Sequence, residues 1–249
     1  MNELTSEVGT GPPSSPEPPS VWQRILALVA SPRRAFSLPL HPSVWIAPLV
    51  ILAAVQVSQS VLLRGLYQEK ALAAIENNER IPEEQKQTIL ERMEAGQKNP
   101  TAYIAQTAGG IVVGLGIGLL VPALLYFWGL NFLLGAASRF VEVFTVVVLS
   151  SMVLALRDVL LLPLKLTKGS LDVYTSPAAF VTSSNQLVIQ ALNKFDIFDL
   201  YRLFLLVIGF SVVALKPPGR TAIPVLIVWG LGWLLLLGCY MSPVGQFMR

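Results

Sequence analysis

The sequence predicts an all-α, polytopic integral membrane protein. It predicts about five transmembrane helices, a helical hairpin loop after the first span and an N-terminal amphipathic helix. Three observations carry this. Of the 249 residues, 53% are hydrophobic and only 13% are charged, whereas a soluble domain carries about 25% charged residues. Mean hydropathy is +0.62. Apolar runs of about 20 residues recur along the chain, the helical length that crosses a hydrocarbon core about 30 Å thick.

Composition also narrows the chemistry. The net charge of +3 comes from basic residues scattered among acids, not the stripe that reads nucleic acid. One cysteine, Cys239, permits no internal disulfide. One histidine, His41, leaves no His-rich or multi-cysteine metal site. A Ser-His-Asp triad has only His41 to use, in "LPLHPSVW" near two prolines, where a structural role is the better reading. No catalytic, cofactor-binding or metal-binding residues are therefore expected.

Residues 1–19 read as a disordered tail, because Pro, Ser, Gly and Glu bury too little apolar area to offset chain entropy. The acidic, proline-rich start is unlike a secretory signal peptide, so the first span is expected to direct insertion. Residues 20–36 read as an amphipathic interfacial helix. Ser20 and Gln23 have capping-box spacing. Trp22, Ile25, Leu26 and Val29 share one face, and Arg33 and Arg34 follow. Such a segment lies in the headgroup region or packs on the other helices.

The membrane domain, 37–249, opens with a span at about 44–63. Gln56 and Gln59 lie about one turn apart there and should face other helices. The polar loop 64–103 is rich in helix formers and divided at Pro82, which suggests a helical hairpin. Glu83 and Glu84 read as first-turn dipole compensation in preference to catalysis. The second run, about 104–134, exceeds one bilayer crossing. It must tilt, kink at Pro122 or project. Its Gly110, Gly114 and Gly118 form a small-residue ridge suited to close helix packing. A phosphate loop would need a preceding strand and a Lys-Ser/Thr pair, which this stretch lacks.

The third span is read at about 140–164, closed by Pro163, with Arg157 and Asp158 inside it. The Ser/Thr-rich loop 165–196 carries a weakly amphipathic "QLVIQALNKF". The fourth and fifth spans fall at about 197–215 and 221–241, joined by the polar turn "KPPGR". Tyr240 and "SPVGQFMR" are expected at the far interface.

Asp196, Asp199 and Arg202, each three residues apart, share a helix flank at the start of the fourth span. Antiparallel spans bring them to the depth of Arg157 and Asp158. A charge at a helix centre costs about 2.5–3.5 kcal/mol on insertion scales, so these residues need partners. The expected pairs are Arg157 with Asp199 or Asp196, and Asp158 with Arg202. A structural ion-pair lattice is the simpler reading; a proton or substrate relay is the functional one.

The ordered set "SPRRAF", "PEEQKQTILERM", a glycine-rich second span and "FDIFDLYRLFLLVIGFSVV" resembles the bacterial branch of the Yip-domain (Ypt/Rab-interacting protein) membrane family. The resemblance spans Trp22 to Gly238 and is most specific from Phe195 to Gly209. There "LYR" stands in place of a more usual Ser-Ile-Trp. It implies five helical spans with a cytoplasmic N-terminus and an external C-terminus, a choice that Lys/Arg counting leaves open. It also implies the bacterial cytoplasmic membrane. Eukaryotic members are tied to vesicle traffic and small GTPases, but the bacterial branch has no agreed activity, so no GTPase role is carried over. The function expected is non-enzymatic: organising membrane-protein partners or membrane shape. The expected partners are the lipid bilayer and other membrane proteins or a second copy. The alternative is a small transporter or channel built on the Arg157, Asp158, Asp199 and Arg202 cluster.

Overall fold

The computed structural model describes residues 19–40, 42–76, 78, 81–97, 100–181 and 186–241. The tail ahead of Pro19, His41 and the final "SPVGQFMR" lie outside the described residues, as do the side chains of Cys239 and Tyr240. Every regular element among the described residues is helical.

Four helices are long and apolar enough to cross a membrane, with candidate spans at Ser43–Leu62, Tyr103–Leu133, Phe140–Lys168 and Pro218–Leu235. The fold thus fits an integral membrane protein with several crossings. The segment expected as the fourth of five spans is shorter. It is a 17-residue helix, Ile197–Val213, about 25 Å long at 1.5 Å per residue.

The chain starts with α1 (Val21–Ala30). Ser20 and Gln23 form the capping box, with bonds of 3.3 and 2.9 Å. A short turn, α2 (Pro32–Ala35), follows. Arg24 is the fastener of this region. It is 1% exposed, and its guanidinium donates to the carbonyls of Pro19 (3.1 Å), Ala35 (3.0 Å), Ser37 (2.7 Å) and Pro39 (3.3 Å). Burial holds its pKa below the ordinary arginine value, and the four carbonyls supply the polar partners that a buried cation requires.

Next come α3 (Pro42–Leu62), the polar helices α4 (Arg64–Glu76) and α5 (Glu83–Gln97), and α6 (Pro100–Trp128). Lys86 of α5 donates to the Glu76 carbonyl that ends α4 (3.2 Å). Helix α6 passes through Pro122 without a break and ends in a π-helical turn, Gly129–Leu133. Asn131 then closes the connection: its Oδ1 accepts the Ser138 N–H at 3.0 Å.

Helix α7 (Phe140–Lys168) is the hub. Of its most apolar stretch 67% is buried, against 22%, 17% and 17% for the other three candidate spans. Val143 to Ser151 is buried without interruption. The helix does not close at Pro163, as the sequence suggested. It runs on to Lys168, because residues 164–168 still have amide donors. It stops where Gly169 adopts φ +59° and the Ser170 N–H reaches back to the Lys165 carbonyl (3.2 Å). That is a glycine-ended Schellman cap.

After a 3₁₀ turn (Pro177–Phe180) come α8 (Gln186–Asn193), α9 (Ile197–Val213) and α10 (Pro218–Met241). Helix α9 packs against α7 on one side and α10 on another. A Cβ on Gly209 would sit 2.5 Å from Val146 Cγ1 and 3.2 Å from the Phe36 ring, so only glycine permits this approach. At the other end of α9, the Tyr201 hydroxyl donates to the Leu28 carbonyl (2.8 Å). Phe36 and Leu28 therefore contact α9 at residues eight positions apart, about 12 Å along its axis. Helices α1 and α2 thus pack on the other helices through Leu28 and Phe36. Trp22, Leu26 and Val29 still point outward, 65%, 74% and 67% exposed. Arg33 and Arg34 are exposed as well.

Candidate functional site

The charged residues of α7 and α9 come together at the end of the bundle nearest α8. Asp196 caps α9: its Oδ1 accepts the N–H groups of Phe198 (2.8 Å) and Asp199 (3.3 Å), and its Oδ2 accepts the Thr175 hydroxyl. A carboxylate at a helix N-terminus satisfies open donors and meets the positive end of the dipole. Asp196 is thus taken up locally and forms no ion pair among the described residues.

Arg157 lies between two carboxylates. Its Nε is 3.2 Å from Asp158 Oδ1, and its Nη1 is 3.6 Å from Asp199 Oδ2. Asp158 is 6% exposed. Its Oδ2 accepts Gln56 Nε2 of α3 at 2.9 Å, and its backbone carbonyl accepts Gln59 Nε2. The two glutamines of α3 thus bind α7 directly. Their helix-facing position was readable from the sequence; their acceptor was not.

The expected Asp158–Arg202 pair is not formed. Three residues of α-helix turn through about 300°, so Asp199 and Arg202 diverge by about 60° around α9. Asp199 meets Arg157 on α7, while Arg202 lines a cleft of about 530 Å³ bounded by α3, α6 and α7. The polar groups lining the cleft are Gln56, Thr107, Ser151 and Arg202. Arg202 Nε is buried without a hydrogen-bond partner.

The glycine ridge forms the α6 wall of this cleft. Gly110, Gly114 and Gly118 are exposed, and a Cβ on any of them would meet nothing within 4 Å. No described part of this chain therefore fills the ridge. Among the described residues the close approaches within the chain occur at Gly209, and at Gly129, where a Cβ would lie 2.8 Å from Pro224 Cβ.

Outside the apolar helices, α4 is tied to the segment after α7. Lys70 Nζ is 2.8 Å from Asp172 Oδ1, and the Tyr174 hydroxyl donates to the same oxygen at 3.0 Å. The Lys70 bond holds the Asp172 carboxyl below the usual carboxylate range. Burial, then the bond to Asp172, pushes the Tyr174 phenol up to about 12.

Among the described residues no group of three His, Cys, Asp or Glu side chains is placed to hold a metal ion. No protein-family pattern, curated protein or solved structure matches the chain.

Proposed function

We propose that this chain is a non-enzymatic, Yip-like membrane protein that organises membrane-protein partners or membrane shape. The observation that carries the reading is the uncovered Gly110, Gly114 and Gly118 ridge of α6. A ridge without side chains lets a second helix approach closely, and small-xxx-small faces drive helix association in lipid. The outward Trp22, Leu26 and Val29 face of α1, with Arg33 and Arg34 beside it, supplies a second surface, suited to the headgroup layer.

In this reading the chain crosses the bilayer five times, with α9 as the additional crossing. Seventeen residues is the lower end of the spanning range, and α9 packs against two longer apolar helices, α7 and α10. Helices α4 and α5 form the hairpin between the first two spans. The N-terminus is cytoplasmic, the C-terminus external and the membrane the bacterial cytoplasmic one. Crosslinking with mass spectrometry in native membranes tests the partner role. Crosslinks from α6 ridge positions to another protein or a second copy, lost in Gly114→Leu, are the expected result. Ridge positions that crosslink to no other protein and to no second copy remove the reading.

A small transporter or channel is the second reading, favoured by one observation: the cleft that brings Gln56 and Arg202 together among apolar helices. Solute-dependent flux in liposomes holding only this protein would select it.

A further inference from the structure

We infer that the cleft beside Arg202 binds one acidic phospholipid, its phosphate on the Arg202 guanidinium and one acyl tail along the glycine ridge of α6. The cleft, of about 530 Å³, falls in the size range of sites that enclose small ligands. Its lining separates into two parts. Arg202, Gln56 and Thr107 contribute polar groups, while the fourth polar lining residue, Ser151, donates its hydroxyl to the Val147 carbonyl of its own helix (2.8 Å). Leu115, Leu119 and the exposed glycines form an apolar trough. A head and a tail fit these two parts, whereas a soluble anion would meet mostly hydrocarbon.

Charge selects the sign of the head. The nearby carboxylates are engaged elsewhere: Asp158 by Arg157 and Gln56, Asp199 by Arg157, and Asp196 by its own helix start and Thr175. Arg202 forms no ion pair among the described residues, and its Nε is buried without a partner. An arginine fork matches phosphate oxygens. Depth is consistent with this. Arg202 lies six residues beyond Asp196, about 9 Å into the apolar part of α9. Helical side chains tilt toward the N-terminus, so the guanidinium leans back toward the polar end of the bundle. The tail then runs past Gly110, Gly114 and Gly118, a ridge about 12 Å long.

The inference rests on bilayer residence and not on any protein partner, the lipid tail occupying the ridge when no partner helix does; carbonate extraction of the wild type separates its failure from the failure of that premise. The test uses the full chain in nanodiscs of equal phosphatidylglycerol and phosphatidylcholine, with retained lipid read by native mass spectrometry. One retained phosphatidylglycerol is expected. Arg202→Gln should weaken retention about tenfold or more, as expected for a lost charge-assisted hydrogen bond. Arg220→Gln, an exposed arginine at the start of α10, should leave it unchanged. Gly114→Leu fills the trough at a position with open space. It should lose the lipid while its thermal unfolding stays at the wild-type value, and it decides the matter if Arg202→Gln does not fold. Equal retention of both lipids, full retention in either cleft variant, or displacement by excess inorganic phosphate would each overturn the inference.

Discussion

Arg157 on α7 and Asp199 on α9 stand 3.6 Å apart, the one ion pair joining these two helices among the described residues. Arg157 also holds Asp158 of its own helix. Removing it leaves two carboxylates without their cation. Arg157→Gln should therefore destabilise by about 1–3 kcal/mol, since it strands the buried Asp158 carboxylate while Asp199 stays partly exposed. Accumulation in membranes and thermal unfolding in detergent both read this. The double swap Arg157→Asp with Asp199→Arg should rescue in part. Full rescue is not expected, because the new Asp would sit beside Asp158.

The glycines separate into two kinds, and substitution should distinguish them. Gly209→Val must displace Val146 or the Phe36 ring, an overpacking that costs about 1–3 kcal/mol. Gly114→Ala meets nothing and should leave unfolding of the monomer within about 0.5 kcal/mol of wild type. Thermal melts of the two variants side by side check this.

Leu215 ends α9 in a left-handed conformation, φ +52°, with the Lys216 N–H bonded to the Ser211 carbonyl at 3.3 Å. This is the same cap that Gly169 makes after α7, but with leucine in the glycine position. A left-handed L-residue costs about 1–2 kcal/mol, and the Leu215 side chain is 83% exposed. Leu215→Gly should therefore raise stability by about 1 kcal/mol, seen as a higher melting temperature.

Arg24 should tolerate no replacement. Arg24→Met loses bonds to four carbonyls and should cost about 2–4 kcal/mol locally. Arg24→Lys should restore little, since an ammonium cannot reproduce the planar fork. Protease cleavage within residues 20–40, with the rest of the chain intact, is the readout.

These residues also mark where the sequence was legible. Apolar length located the long helices, and local chemistry placed the Ser20 cap and the start of α5 after Pro82. Local signals sufficed because capping is decided within one turn. Arg24 gave no such signal: on the helix face opposite Trp22 it looks solvated, and its acceptors lie up to 15 residues away. The glycine ridge declared that a close approach was possible, not that this chain would supply the second helix. The cluster of Arg157, Asp158, Asp199 and Arg202 was legible as a neighbourhood. Its pairing was not, because that depends on how far α9 is rotated against α7, and a 60° difference sent Arg202 into the cleft.

The topology proposed above has an odd number of bilayer crossings, with α9 counted among them. Compartment-specific reporters fused at the two chain ends test it most directly. Opposite faces are the expected result: the N-terminal reporter in the cytoplasm and the C-terminal one outside. Both reporters in the same compartment would contradict it.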